Sequence, residues 1–125
     1  MNNKEYFQKT LDHISELKDN WVSGALSIHQ DIIDITQKLI NELSDEDLEN
    51  WSIAPFINGS IMLSYKYEDK NIAINIVQTG MSYVFYKTGH IGEMGQHLFN
   101  TKDIHMDDGY SKMKYLIQNA KTLHY

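Results

Sequence analysis

The sequence contains no cysteine, no arginine and a single proline, and each absence narrows what the protein can be. Without cysteine there are no disulfides, no thiolate zinc sites and no cysteine nucleophile. All eleven basic residues are lysines, so no guanidinium is present to bind phosphate or guanine in bidentate fashion. Because the net charge is also −6, we expect no nucleic-acid binding.

Long apolar runs and an apolar leader are absent as well. No stretch approaches the roughly 20 apolar residues that span a bilayer. The first ten residues, MNNKEYFQKT, lack the apolar stretch that forms the core of a secretion signal. We therefore expect a cytoplasmic protein that does not bind membranes. With 125 residues, 42% hydrophobic and 22% charged, the chain is predicted to form one globular domain, 1–125.

Two amphipathic helices are predicted in the first half of the chain, over residues about 4–17 and 28–43. Ser27 and Gln30 have the spacing of a capping box directly before the second helix. Between the helices, Trp21 and Gly24 interrupt the helical pattern. Glycine permits a tight reversal there, and we expect the Trp21 ring to fold back as a plug over the end of the helix pair.

After residue 50 the period of the apolar residues changes from about 3.6 to about 2, which indicates β-strands. Four strands are predicted, at about 51–56, 60–67, 71–78 and 81–87. Asn58-Gly59 suits a type I′ hairpin turn between the first two strands. Polar turns separate the later strands, so the sheet is predicted to be an antiparallel meander.

The pattern of apolar residues is less regular after residue 87. Residues 110–124 have the apolar spacing of a final amphipathic helix. The segment 88–109 is glycine-rich, and its centre, 91–99, fits either a short helix or a loop. The predicted fold class is therefore α+β, a two-layer sandwich of two N-terminal helices, a four-stranded antiparallel meander and a C-terminal helix. Helices on one sheet face would bury the rows 61/63/65 and 72/74/76.

The order of these features resembles a broad group of small uncharacterised bacterial α+β proteins. The pattern is W-x-x-G-A before a helix, then a proline, then N-G-S-I-x-L-x-Y at a glycine-led strand. The matching residues, spread over roughly 11–87, are Trp21, Gly24, Ala25, Pro55, Gly59, Ile61, Leu63 and Tyr65. That group often has proline directly after the Gly-Ala, where this chain has Leu26-Ser27. The pattern holds packing and turn residues only, so the resemblance implies a shared scaffold and no particular activity.

His90, Glu93 and His97 are the best candidates for a metal site. They would share one face of a helix, and two histidines with a carboxylate can bind zinc or iron and leave positions open for water. The alternative is a polar surface segment, because the spacing is not H-E-x-x-H and two glycines weaken a helix there. No serine-nucleophile elbow and no phosphate-binding loop accompany them.

Two surfaces are candidates for binding a partner. An apolar patch on the open face of the sheet, unless the C-terminal helix covers it, would consist of Met62, Val77, Val84 and Tyr86. Charge defines the second surface: residues 1–50 hold four lysines against eleven acids, a local charge of −7, whereas the remainder carries +1. The densest acidic cluster is Asp45, Glu46, Asp47 and Glu49.

Taken together, these observations favour a small, acidic, non-enzymatic protein-binding module without a cofactor. An acidic half suits a basic partner such as a nucleic-acid-binding toxin. We therefore expect an immunity-type or antitoxin-type inhibitor of bacterial or mobile-element origin. Two alternatives stay open: a small metal-binding protein or hydrolase that uses His90, Glu93 and His97, and a structural homodimer that pairs sheet faces or strand edges.

Overall fold

The computed structural model describes residues 1–100 and 102–125, apart from the side chain of His105. Within these residues the protein is α+β, with α-helices packed on one face of a five-stranded antiparallel sheet. The elements are α1 (Asn3–Ser15), α2 (Gln30–Glu42), β1 (Trp51–Pro55), β2 (Ile61–Tyr67), β3 (Lys70–Val77), β4 (Gly80–Lys87), β5 (His90–Leu98) and α3 (Asp108–Gln118). None of the described helices has the length and hydrophobicity that a membrane crossing requires.

The sheet is a simple meander in the order β1-β2-β3-β4-β5. Its inner face carries every second strand residue, as the alternation predicts, and the buried rows are Ile61, Leu63 and Tyr65, Ile72, Ile74 and Ile76, and Met81, Tyr83 and Phe85. α1 packs against β1, and α3 packs against β4 and β5. One continuous apolar core therefore lies between the helices and this face.

The fifth strand corrects the prediction of a helix or loop at residues 91–99. Two glycines let this strand lie close against the side chains of β4. A Cβ at Gly95 would lie 3.0 Å from the Tyr83 hydroxyl oxygen, and one at Gly92 would lie 2.8 Å from the Phe85 ring. Because glycine has no side chain, the aromatic rings of Tyr83 and Phe85 on β4 can lie across β5 at these two positions. Thr101 and the side chain of His105, in the same glycine-rich segment, are outside the described residues.

The N-terminus of α2 differs from the predicted capping box. The helix begins at Gln30, and the N-cap is His29, whose Nδ1 accepts a hydrogen bond from the Asp31 N–H at 3.2 Å. Ser27 lies before the helix, and its N–H donates to Asp19 Oδ1 at 2.9 Å. That hydrogen bond holds the pKa of Asp19 below its ordinary value. The Asp19–Ser27 pair closes the loop between α1 and α2 instead of capping α2.

Trp21 lies in this same loop and is not the buried plug that the sequence suggests. Its ring is partly exposed, and its Nε1–H donates to the Leu26 carbonyl oxygen at 2.7 Å. Gly24 does make the predicted reversal, with φ at +80°, and the buried residues of the loop are Ala25 and Ile28. The tryptophan therefore fixes the loop conformation from outside the core.

Two further boundaries are corrected. The loop between β1 and β2 spans residues 56–60, and only Gly59 has a positive φ, so the type I′ turn at Asn58-Gly59 is wrong. α3 ends at Gln118, short of the predicted 124, and Ala120–Thr122 forms a 3₁₀ turn. The chain then brings the Tyr125 ring to 5.5 Å from that of Phe85, which closes this end of the core.

Candidate functional site

The outer face of the sheet, the side away from the helices, is the most unusual surface in the described structure. Strand register places seventeen residues there. Lys66 is the one charged residue among these outward positions. The rest, from β1 to β5, are Ser52, Ala54, Met62, Ser64, Asn71, Ala73, Asn75, Val77, Gly80, Ser82, Val84, Tyr86, Ile91, Met94, Gln96 and Leu98. An almost uncharged face on a chain of net charge −6 is a surface suited to contact with another molecule.

All four residues predicted to form the apolar patch lie on this outer face. Val84 is central, between Ala73 and Met94 on the neighbouring strands, and Tyr86 follows it along β4. Val77 lies at the end of β3. α3 does not cover the patch, because it packs on the inner face over β4 and β5. The open alternative of cover by the C-terminal helix is therefore wrong within the described residues.

The fifth strand extends the patch beyond the prediction. Large apolar side chains are exposed along β4 and β5, to 40% for Tyr86, 57% for Ile91, 67% for Met94 and 81% for Leu98. The last three belong to the strand that the sequence did not reveal. Apolar groups of this size seldom stay clustered in water unless they bind something.

A shallow hollow of about 530 Å³ lies at the centre of the outer face. It is lined by side chains of Met62, Asn75, Val84, Met94 and Gln96, among others. Asn75 Oδ1 is buried there and has no hydrogen-bond partner among the residues that the structure describes. A buried acceptor without a hydrogen bond lowers the stability of the protein, so a partner that donates to Asn75 Oδ1 would gain binding free energy there. The hollow thus offers a partner one hydrogen bond as well as apolar area.

β5 also leaves one edge of the sheet open. It is nine residues long and has only β4 beside it within the described residues. The opposite edge, β1, is five residues long and ends in Pro55, which has no N–H to donate. Of the two edges, β5 is thus the one at which a further strand could pair.

The metal candidates His90, Glu93 and His97 do not form a site. They lie on β5, where a rise of about 3.3 Å per residue separates His90 from His97 by about 23 Å. Metal–ligand bonds are about 2 Å long, so one ion cannot reach both histidines. In the described part of the chain no three histidine or acidic side chains cluster to hold an ion.

Glu93 has a structural role instead. Its Oε2 accepts a hydrogen bond from the Tyr83 hydroxyl at 2.7 Å and lies 3.1 Å from Lys112 Nζ on α3. Burial and the adjacent carboxylate raise the pKa of Tyr83 to about 12, while these two hydrogen bonds lower that of Glu93. The His97 ring stacks on Tyr83, with centroids 6.0 Å apart. The cluster joins β4, β5 and α3.

Part of the acidic cluster is likewise occupied by internal bonds. Asp45 Oδ1 accepts from the Lys4 N–H at 2.9 Å, at the first turn of α1. Asp47 and Ser44 exchange two hydrogen bonds, of 3.0 and 3.1 Å, which close the acidic turn between α2 and β1. Glu46 and Glu49 stay exposed, and Glu49 lies 3.5 Å from Lys121 Nζ. These two acids are the exposed members of the cluster, and the Lys121 ammonium group partly neutralises Glu49.

A further side-chain network joins α2 to α3. The Glu42 carboxylate accepts from the Tyr110 hydroxyl at 2.6 Å, lies 3.2 Å from Lys114 Nζ and forms a close ion pair with Lys38. Lys38 and Tyr110 contribute most to lowering the pKa of Glu42 to about 2. Burial and the same carboxylate raise the pKa of Tyr110.

Glu42→Gln is expected to remove a pH-dependent part of the stability. The folded pKa of about 2 lies below the ordinary 4.5, so the ionised carboxylate stabilises the fold fully above about 4.5. This contribution is lost as the pH falls through about 2. Allowing for solvent screening, we expect a difference of about 1 to 2 kcal/mol between wild type and variant at neutral pH.

Urea unfolding of both proteins from neutral pH to about pH 2 measures this difference. The two curves should converge at the acid end, where Glu42 is protonated in both the folded and the unfolded wild type. A constant difference across the whole range would show that the glutamine variant is destabilised for a reason other than charge.

Comparison of the chain with protein families, curated proteins and solved structures yields no significant match. The resemblance based on Trp21, Gly24 and Ala25 accordingly stays a prediction about the scaffold.

Proposed function

We propose that this protein is a small, acidic, non-enzymatic protein-binding module whose contact surface is the outer face of the sheet. The observation that carries the proposal is the exposed row of Tyr86, Ile91, Met94 and Leu98 on an almost uncharged face. Tyrosine and methionine are enriched, and charged residues depleted, at the centres of protein interfaces. The unpaired Asn75 acceptor supplies one polar contact within the same surface.

The partner that best fits is a basic protein with an apolar contact patch. Residues 1–50 carry a charge of −7, of which the turn after α2 contributes −4 and α2 itself −2. Such a field acts over distance and raises the rate of encounter with a cationic protein, while the uncharged face supplies the lasting contact. An immunity-type or antitoxin-type inhibitor of a basic, nucleic-acid-binding toxin, of bacterial or mobile-element origin and cytoplasmic, is the role that this combination supports.

A second candidate function, a structural homodimer, is favoured by a separate observation. The outer face carries Lys66 as its single charge, so two copies could pair there with little charge repulsion across the contact. The long unpaired edge of β5 would allow the two sheets to join.

Met94→Lys combined with Leu98→Lys tests the surface directly. Both side chains are exposed, so the fold should persist, while a charge in the contact should weaken binding about tenfold or more. The partner captured from source cells is purified, and its affinity for both proteins is measured by calorimetry. Ser23→Lys, in the exposed loop between α1 and α2, is the matched control and should bind like wild type.

Association rates at rising salt complete the test, because steering by the acidic α2 and the turn after it should fade as salt screens their charge. Light scattering of the protein alone separates the candidates. A dimer that becomes a monomer in the double variant would establish the homodimer. A monomer with a captured basic partner would support the inhibitor, and unchanged binding by the double variant would reject the outer face as the contact surface.

A further inference from the structure

A second cavity, of about 210 Å³, lies on the inner side of the sheet, where Trp51 and Tyr65 face away from the contact surface proposed above. It is formed by the acidic turn at residues 44–50, the neighbouring strands β1 and β2, and the end of α3. Its walls include three acids, two aromatic rings and one lysine: Glu46, Asp47, Glu49, Trp51, Tyr65 and Lys121.

Two unpaired hydrogen-bond donors distinguish this cavity from an ordinary surface groove. Trp51 and Tyr65 are cross-strand neighbours, with ring centroids 5.3 Å apart, and both line the cavity. They are 6% and 2% exposed. Neither Trp51 Nε1 nor the Tyr65 hydroxyl has a hydrogen-bond partner within residues 1–100 and 102–125. The indole N–H of Trp51 can only donate, and the hydroxyl of Tyr65 can donate as well. An acceptor placed between them would therefore satisfy both groups.

The surroundings of these donors are negatively charged. Three carboxylates line the cavity against one ammonium group, that of Lys121, which pairs with Glu49. The carbonyl groups at the end of α3 add the negative end of a helix dipole. Burial and the nearby Tyr67, Glu49 and Glu68 raise the pKa of Tyr65, so its hydroxyl keeps its proton and stays a donor.

We propose that this cavity binds a small, positively charged molecule that also carries an oxygen acceptor. Its cationic group would lie against Glu46 and Glu49, and its oxygen would accept hydrogen bonds from the Trp51 indole and the Tyr65 hydroxyl. The volume is below the range of about 300–1,000 Å³ typical of drug-sized ligands, so the ligand is a small amine such as an amino alcohol. This site is separate from the outer face and does not depend on the function proposed there.

The two tryptophans allow a test with an internal control. In nitrogen-15-labelled protein, the Trp51 and Trp21 indole N–H groups give separate signals, and that of Trp21 already donates to Leu26. Titration with ethanolamine should shift the Trp51 signal downfield in a saturable way and leave the Trp21 signal in place. Saturation in the millimolar range is the affinity expected for so small a ligand. Propylamine, of similar size and charge without the oxygen, should bind clearly more weakly.

Two variants assign the contacts. Tyr65→Phe keeps the ring and removes one donor, which should weaken ethanolamine binding about tenfold. Glu49→Gln changes an exposed side chain and should weaken binding of both amines by a few-fold without affecting the fold. If Tyr65→Phe proves unstable, the glutamine variant and the pair of amines still decide the matter.

Three outcomes would overturn the proposal. A Trp51 signal that drifts without saturating would mean that ordered water alone occupies the cavity. Equal binding of ethanolamine and propylamine would remove the role of the oxygen acceptor. Unchanged affinity in Glu49→Gln would place the amine elsewhere on the acidic surface.

Discussion

Gly80→Ala is expected to lower the free energy of unfolding by about 3 kcal/mol, the upper part of the range for overpacked sites. Gly80 is the first residue of β4, opposite Leu98 at the end of β5. A Cβ there would overlap the His97 carbonyl oxygen and lie 3.0 Å from Leu98 Cα. Both are backbone atoms, so no side-chain rotation can relieve the contact. Urea unfolding and amide exchange of β5 would measure the loss.

Gly89→Asn is the matched control, in the turn at the other end of the same strand pair. Gly89 has a φ of +77°, and no described atom lies within 4 Å of an added Cβ. Asparagine tolerates this left-handed conformation, so a change within about 0.5 kcal/mol is expected. A neutral Gly80→Ala, or an equal loss in both variants, would contradict the close pairing of β4 and β5.

The inner face of the sheet is predictable from the sequence because one physical rule determines it. Alternate strand residues face opposite sides, and apolar residues are driven to the covered side. The rows at Ile61 and Ile72 follow this rule, as do Met62 and Val84 on the outer face.

β5 could not be recognised in this way because its inward positions are not apolar. They include Glu93, Gly95 and His97, and the aromatic rings of β4 occupy the space that side chains of β5 would otherwise fill. The register also shifts near Gly92, where the pairs Phe85↔Glu93 and Tyr86↔Ile91 leave one residue unpaired. Only the Thr88-Gly89 pair, a short turn signal after β4, pointed to another hairpin.

The two candidate sites depend to different degrees on structural features that the sequence does not predict, namely strand β5 and the register of the strands. The part of the outer contact surface that lies on β1 to β4 follows from alternation, whereas Ile91, Met94 and Leu98 join it only once β5 is known. The pairing of Trp51 with Tyr65 depends on the register that a five-residue loop sets between β1 and β2. Periodicity cannot predict such a register, and it predicts even less which donors stay unpaired.

Ile74→Ala is expected to have the largest effect, a loss of about 4 kcal/mol in the free energy of unfolding. Ile74 is fully buried at the middle of the central strand, between Leu63 on β2 and Tyr83 on β4. The rigid sheet cannot close around the missing atoms, so the cost of a cavity adds to the lost apolar burial. The midpoint of urea unfolding and the calorimetric melting temperature would both report it.

Comparing Val84→Ala on the outer face with Ile74→Ala on the inner face tests whether the outer face is free to bind a partner. Val84 pairs with Ala73 in the same part of the sheet but is only partly buried, so a loss of about 1 kcal/mol or less is expected. A loss as large as that of Ile74→Ala at every protein concentration would mean that the outer face is covered within one chain, against the proposed contact surface. A loss that grows with protein concentration would instead show that a second copy covers it, because association stabilises only the folded chain.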